Sequence, residues 1–256
     1  MKAELSQKAF AVWRRRVLVI LLWLAIWEGA YLLIGREIYF PSPVSVVTTF
    51  FRLLTEQKTW VVIGWSLYRT LFAIIASAVL GVVFGMACGL SRAMYDFVNP
   101  LMVILKSTPV VSVIIISIIW FRSTDVPIFS GILMCFPIVF TGTVAGVRST
   151  DPKLIEMCLF YGVGRFERLK SLYFPAAKSH INASVISEIG ICWKAVAAAE
   201  VLSMPRLSIG ANLYFAKTSL DPALLFAWTV IIILLSFVFE TIYAKVSGYD
   251  KTSGHQ

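Results

Sequence analysis

Glu156-Met157-Cys158, three residues, Gly162, nine residues, then Leu172-Tyr173-Phe174-Pro175: this spacing runs through a polar segment, about residues 148–180, the one sizeable charged island inside an otherwise apolar chain. On either side of it the sequence is membrane-like. Of its residues 59% are hydrophobic and only 14% charged, and mean hydropathy is +0.82, more apolar than a soluble domain needs. About 18 or more apolar residues in a row suffice to cross a ~30 Å hydrocarbon layer as a helix. Six such stretches are readable, at 17–34, 62–90, 100–121, 126–147, 183–204 and 223–246. The expected fold is all-α and polytopic, with the island between the fourth and fifth spans. The spans leave no room for a separate soluble domain.

Net charge is +9, and its distribution argues against nucleic acid. Lys2, Lys8, Arg14, Arg15, Arg16, Arg92, Arg148, Lys153, Arg165, Arg168, Lys170, Lys178, Lys245 and Lys251 fall on one side of the expected membrane. Arg36, Arg52, Lys58, Arg122, Arg206 and Lys217 fall on the other. The positive-inside rule then puts both termini and the island in the cytoplasm. The basic N-terminus followed by an apolar run superficially resembles a signal peptide. Its run is too long, however, and no small-x-small cleavage site closes it before Arg36, so it is expected to be an uncleaved first span. Cys88, Cys135 and Cys192 lie in different spans and Cys158 in the island, without metal-ligand spacing.

The island's spacing resembles the cytoplasmic loop of the membrane subunits of binding-protein-dependent ABC importers, E-A-A-x3-G-x9-I-x-L-P. Met157 and Cys158 replace the paired alanines, and Leu172 and Phe174 stand at the apolar positions. Further stretches in order, Phe40-Pro41-Ser42-Pro43, Ser66-Leu67-Tyr68-Arg69-Thr70, Gly146-Val147-Arg148-Ser149-Thr150-Asp151-Pro152 and Trp193-Lys194-Ala195-Val196-Ala197-Ala198-Ala199-Glu200, look like the nitrate/sulfonate/taurine branch. After Trp120-Phe121 the turn Arg122-Ser123-Thr124-Asp125 departs from the glycine-rich turn of that branch. The resemblance implies a single permease domain over 1–256 in a bacterial or archaeal inner membrane. It implies as partners an ABC ATPase carrying ATP and Mg, an extracytoplasmic solute-binding protein and a second copy of the chain. The cargo it implies is a small solute, and basic residues in the path favour an anion.

Within the island Asp151 suits an N-cap and Pro152 a first helical position. Gly162 suits a turn through positive φ. A second short helix is expected from about Arg165 to Phe174, ended by Pro175, with Phe166, Leu169 and Tyr173 on one face. The resemblance assigns Glu156, Gly162, Phe166, Leu172 and Pro175 to ATPase coupling. The plainer alternative is a basic loop lying on lipid headgroups.

Ionisable residues inside spans are costly unless paired or hydrated. Lys106, Lys194 and Glu200 sit on spans that line the translocation path in the resembled family, and are its candidates here. Glu28 and Arg69 read as structural. Glu188 and Lys194 are six apart, about 240° around a helix, so each needs a partner elsewhere. Small residues every fourth position, Ala73, Ser77, Gly81, Gly85 and Gly89, allow another helix to approach closely. Pro109, after Lys106-Ser107-Thr108, is expected to bend or break the third span. Residues 205–221 are too apolar for a free loop and are expected to fold back over the outer mouth.

An enzyme reading has little support: His180 and His255 fall outside the spans, and neither H-E-x-x-H nor G-x-x-x-x-G-K-[ST] occurs. No metal site or bound cofactor is expected on this chain. A stand-alone channel or ion-coupled carrier is the rival class. Such carriers commonly show internal inverted repeats, and none is detected.

Overall fold

In the computed structural model, residues 2–248 are described, and among them every regular element is helical. Lys251 and His255 lie outside the described residues, as do the side chains of Lys2, Lys8 and Arg16. The chain divides into two compact units, one of residues 1–59 and 213–231, the other of 60–212 and 232–256.

In the first unit, α1 (Lys2–Ile34) carries a 22-residue apolar stretch from Trp13 to Ile34. It stops before Gly35, which takes φ +66. The Trp27 indole N–H donates to the Pro41 carbonyl at 3.0 Å. Its ring sits 6.4 Å from Phe40 and 5.8 Å from Phe226, so this turn is pinned by aromatic packing. Ser42 then caps α2 (Pro43–Thr55), accepting from the Ser45 amide at 3.0 Å, with Pro43 in the first turn. Val44, Val47 and Phe51, spaced as an apolar stripe, are exposed, while Val46 and Leu53 are buried. Apolar side chains directed away from protein are ordinary where the surroundings are lipid rather than water.

The second unit is a helical bundle. It contains α3 (Gln57–Leu90) from Trp60 onward, α4 (Arg92–Ser107), α5 (Val110–Trp120) and α6 (Val126–Arg148). It continues through α7 (Pro152–Phe160), α8 (Arg165–Arg168) and α9 (Phe174–Ser203) to the far part of α11 (Pro222–Ser247). The first turn of α10 (Ile209–Thr218) belongs here as well. Its core joins Ala73 of α3, Cys135 and Val139 of α6 and Cys192, Trp193 and Val196 of α9.

The small-residue stripe on α3 is where α6 approaches. A Cβ added at Gly81 would fall 2.6 Å from Val139 Cβ, at Gly85 2.6 Å from Thr143 Cβ, and at Gly89 2.7 Å from Val147 Cβ. The contacts step forward together along both helices, so α3 and α6 run parallel. Against α9, Gly142 meets Ser184 and His180, Gly146 meets Ala177, and Gly131, which also meets Ala73 of α3, meets Val196. There the order reverses, so α6 and α9 run antiparallel.

The stretch expected as one third span is two helices. α4 starts at Arg92, capped by Ser91, and keeps Pro100 inside it. The chain then turns by 101° before α5. Pro109 cannot donate to the helical ladder and disfavours helix in the residue before it, and Thr108 is extended at φ −75, ψ 128. Among the described residues four helices, α1, α3, α6 and α11, are individually long and apolar enough to cross a membrane, and the bent α4–α5 pair is a fifth candidate. α9 has 30 residues but carries Lys178, Glu188, Lys194 and Glu200. Of these, Glu188 and Glu200 are fully buried inside the bundle, so their polarity is not presented to lipid.

Candidate functional site

The polar connection between α6 and α9 begins with a cap built from the residues that predicted it. Asp151 accepts from the Lys153 amide at 2.9 Å, and Pro152 occupies the first turn of α7. α7 unwinds through Tyr161 N–H to Met157 O (3.1 Å) and Val163 N–H to Cys158 O (2.9 Å), with Gly162 at φ +66. A Cβ there would meet nothing within 4 Å. Conformation, not space, is what asks for glycine.

Beyond Gly164 the expected second helix is present but does not stop. α8 runs through a widened π turn, Leu169–Tyr173, directly into α9. Pro175, expected to end the helix, lies in the first turn of α9 instead. The π turn explains how. A proline ring clashes with the carbonyl four residues back in a regular α-helix, and the wider turn relieves that clash while needing no donor from Pro175.

The exposed ridge also differs from the expected one. Phe166 is 76% exposed as anticipated, but its companions are Phe160 (86%) and Tyr161 (75%), whose rings meet edge to face at 5.5 Å. Leu169 and Tyr173 instead pack against the bundle core. Glu156 and Pro175 are exposed and Leu172 half-buried. The aromatic pair immediately before Gly162 was the available signal for this surface. The result is two short helical segments, one positive-φ turn and three large aromatic rings turned outward.

The ionisable residues of the helices separate into two kinds. Glu200, expected beside a path, is enclosed. Its carboxylate accepts from Arg69 Nη1 at 3.0 Å, from the Ser66 hydroxyl at 2.8 Å and from the Gly210 amide at 3.0 Å. Arg69 Nη1 also donates to the Leu207 carbonyl at 2.8 Å, and Ser66 Oγ accepts from the Ile209 amide at 2.9 Å. These bonds tie the chain after α9, where Met204 takes a left-handed φ of 47, back onto α3. Gly210 is required by contact: a Cβ would fall 2.5 Å from Val201 N, against the backbone beside Glu200. Arg69 and Glu200 thus form a buried ion pair, and Glu200 does not face an open surface. The backbone pairing of Ile209 and Gly210 with side chains ten to 143 residues away left no trace in local sequence.

Glu188 is fully buried, bonded to the Ser77 hydroxyl, with its second oxygen unpartnered. Lys194 is exposed on α9. Lys106 is exposed near the bend and donates to Thr141 Oγ1 at 3.2 Å. The structure therefore brings Lys106 and Lys194 to open surfaces and removes Glu200 from one.

The sequence profile described as "Binding-protein-dependent transport system inner membrane component" matches residues 78–247. A putative aliphatic sulfonates transport permease of Bacillus subtilis is 26% identical over 74% of this chain and 70% of its own length. The taurine transport system permease of Escherichia coli is 23% identical over 84% of this chain and 80% of its own. In structure, an amino acid ABC transporter crystallised with histidines superposes with a TM-score of 0.58 at 15% identity, covering 74% of this chain and 92% of that one.

Proposed function

Because this chain belongs to the family of binding-protein-dependent transport system inner membrane components, we propose that its polar connection is the element through which ATP hydrolysis drives solute import. The chain is the membrane-spanning permease of an ABC importer, and hydrolysis occurs on a separate ATPase subunit. The observation that carries the coupling assignment is the turn at Gly162, which leaves Phe160, Tyr161 and Phe166 outside the core. Three exposed rings on short helices suit insertion into a groove of a partner, and a groove is what an ATPase face would have to supply. Glu156 and Pro175, both exposed, and the half-buried Leu172 complete the docking surface in this reading.

In the same reading residues 1–256 form one permease domain with six crossings: α1, α3, the α4–α5 pair, α6, α9 and α11. The parallel course of α3 and α6 supports it, because a chain can return to the same direction only if the intervening pair crosses back. Both termini and the connection then lie in the cytoplasm, as the charge asymmetry favours. The membrane is the inner membrane of a bacterium or archaeon. A second copy completes the path, an extracytoplasmic binding protein delivers the solute, and ATP with Mg stays on the ATPase.

Lys106 and Lys194 line the path and favour an anionic solute of the sulfonate, taurine or nitrate kind. Glu200, enclosed by Arg69, Ser66 and Gly210, anchors the segment after α9 rather than lining the path. The deciding experiment is purification of the detergent-solubilised chain with its co-expressed ATPase, followed by reconstitution with the binding protein. Solute-stimulated hydrolysis that disappears in Gly162→Val supports the assignment. Undiminished stimulation in that variant would sink it.

A further inference from the structure

At the end of the bundle where α3 and α6 finish, a pocket of about 440 Å³ is lined by Gly89, Leu90, Arg92, Tyr95, Asp96 and Arg148. That volume lies within the ~300–1,000 Å³ usual for small-ligand sites. Its walls follow from features already described. Gly89 lets Val147 close against α3, which brings the next residue, Arg148, to the edge of α4. The Arg148 guanidinium carbon stands 3.8 Å from the centre of the Tyr95 ring. A guanidinium held against an aromatic face is fixed in orientation and keeps its in-plane N–H donors for another partner. Arg92, Tyr95 and Asp96 fall at i, i+3 and i+4 on α4, one face of one turn. Ser91 fixes that turn by capping it, accepting from the Met94 amide at 3.4 Å. Among the described residues no ion pair is recorded between Asp96 and either arginine.

We propose that this pocket binds a zwitterion in which an oxyanion and an ammonium group are joined by a short linker. Arg92 and Arg148 take the oxyanion, since guanidinium forks match sulfonate and phosphate oxygens with charge-assisted hydrogen bonds. Asp96 takes the ammonium, and its carboxylate disfavours simple dianions such as sulfate by like-charge repulsion. Two sources share this chemistry: the phosphoethanolamine headgroup of a membrane lipid and a free aminosulfonate. The lipid source rests on the proposed topology, which puts this end of the bundle at the cytoplasmic membrane surface.

The test is calorimetric titration of the full-length chain in dodecyl maltoside with taurine, glycerophosphoethanolamine and sulfate. Both zwitterions should bind more tightly than sulfate. Arg92→Gln should weaken the zwitterions by about tenfold or more, the scale of one lost charge-assisted contact. Asp96→Asn should weaken them too while strengthening sulfate. Arg92 and Asp96 are on the open face of α4, so neither change disturbs the Arg148–Tyr95 stack. Absence of zwitterion binding, or binding indifferent to both substitutions, overturns the proposal. Repeating the taurine titration in nanodiscs separates the sources. Loss in phosphatidylethanolamine but not in phosphatidylglycerol identifies the lipid headgroup as occupant, and equal binding in both identifies the free zwitterion. Binding is read on this chain alone, so a failure to recruit an ATPase would refute the transport reading and leave the pocket untouched.

Discussion

Arg69 and Glu200 show what a charge inside a spanning helix can be for. Both are buried, 3.0 Å apart, and each has a second role toward the segment after α9. Removing one partner leaves the other's charge enclosed with its remaining hydrogen bonds but without its counter-charge, a loss of about 3–5 kcal/mol. Arg69→Met should therefore lower the thermal midpoint in detergent sharply. Arg69→Met combined with Glu200→Leu should recover part of that loss, because no isolated charge remains. If the double variant were less stable than the single by a full second increment, the two residues would not be acting as a pair. Lys194 and Lys106 predict the opposite pattern. Both are exposed, so Lys194→Met and Lys106→Met should insert and express near the parent level while uptake falls. Reconstituted vesicles measure this directly, and undiminished uptake in both would reduce these lysines to anchors whose heads snorkel to the interface.

At the scale of elements, two glycine positions have opposite reasons and opposite predicted failures. Gly85 is a packing glycine: a Cβ there would fall 2.6 Å from Thr143 Cβ, so Gly85→Leu should push α3 from α6 at about 1–3 kcal/mol or more, seen as lost expression. Gly162 has open space but φ +66. Gly162→Val should therefore leave the bundle folded and unseat the turn, at about 1–2 kcal/mol of local strain, seen as lost solute-stimulated hydrolysis. The first of these was readable in the sequence, because a four-residue repeat of small side chains has one physical use in a spanning helix. The turn at Gly162 and the cap at Asp151 were readable for the same reason, being local chemistry. What escaped was set by tertiary partners. A proline at 175 reads as a stop until the π turn before it is known. Leu169 and Tyr173 read as surface until the core that receives them is in place. The Glu200 anchor needed residues from α3, α9 and α10 at once, a coincidence that no spacing rule encodes.

For the molecule as a whole, direction of travel is the strongest constraint. α3 and α6 are parallel and α6 and α9 antiparallel, read from glycine contacts that advance or reverse in step. If α4 and α5 dipped into the membrane and returned to the same side, the chain would re-enter for α6 running opposite to α3. The observed parallel pair favours the proposed crossing of the bent pair, in which its 101° break is a discontinuity at membrane depth. Such breaks are tolerated only against protein or a water-filled cavity. In that proposed topology α9 is the next crossing, and the connection containing Phe160 and the segment containing Lys217 are expected on opposite sides of the membrane. In a background lacking Cys88, Cys135, Cys158 and Cys192, a membrane-impermeant maleimide added to intact cells should label Lys217→Cys and spare Phe160→Cys. Inverted vesicles should give the reverse. Both positions are exposed, so protection reports the membrane rather than burial. Labelling of position 160 from outside, with none at 217, would invert the proposed orientation. Labelling of both from one side would mean that α9 does not cross, and the six-crossing count would fall with it.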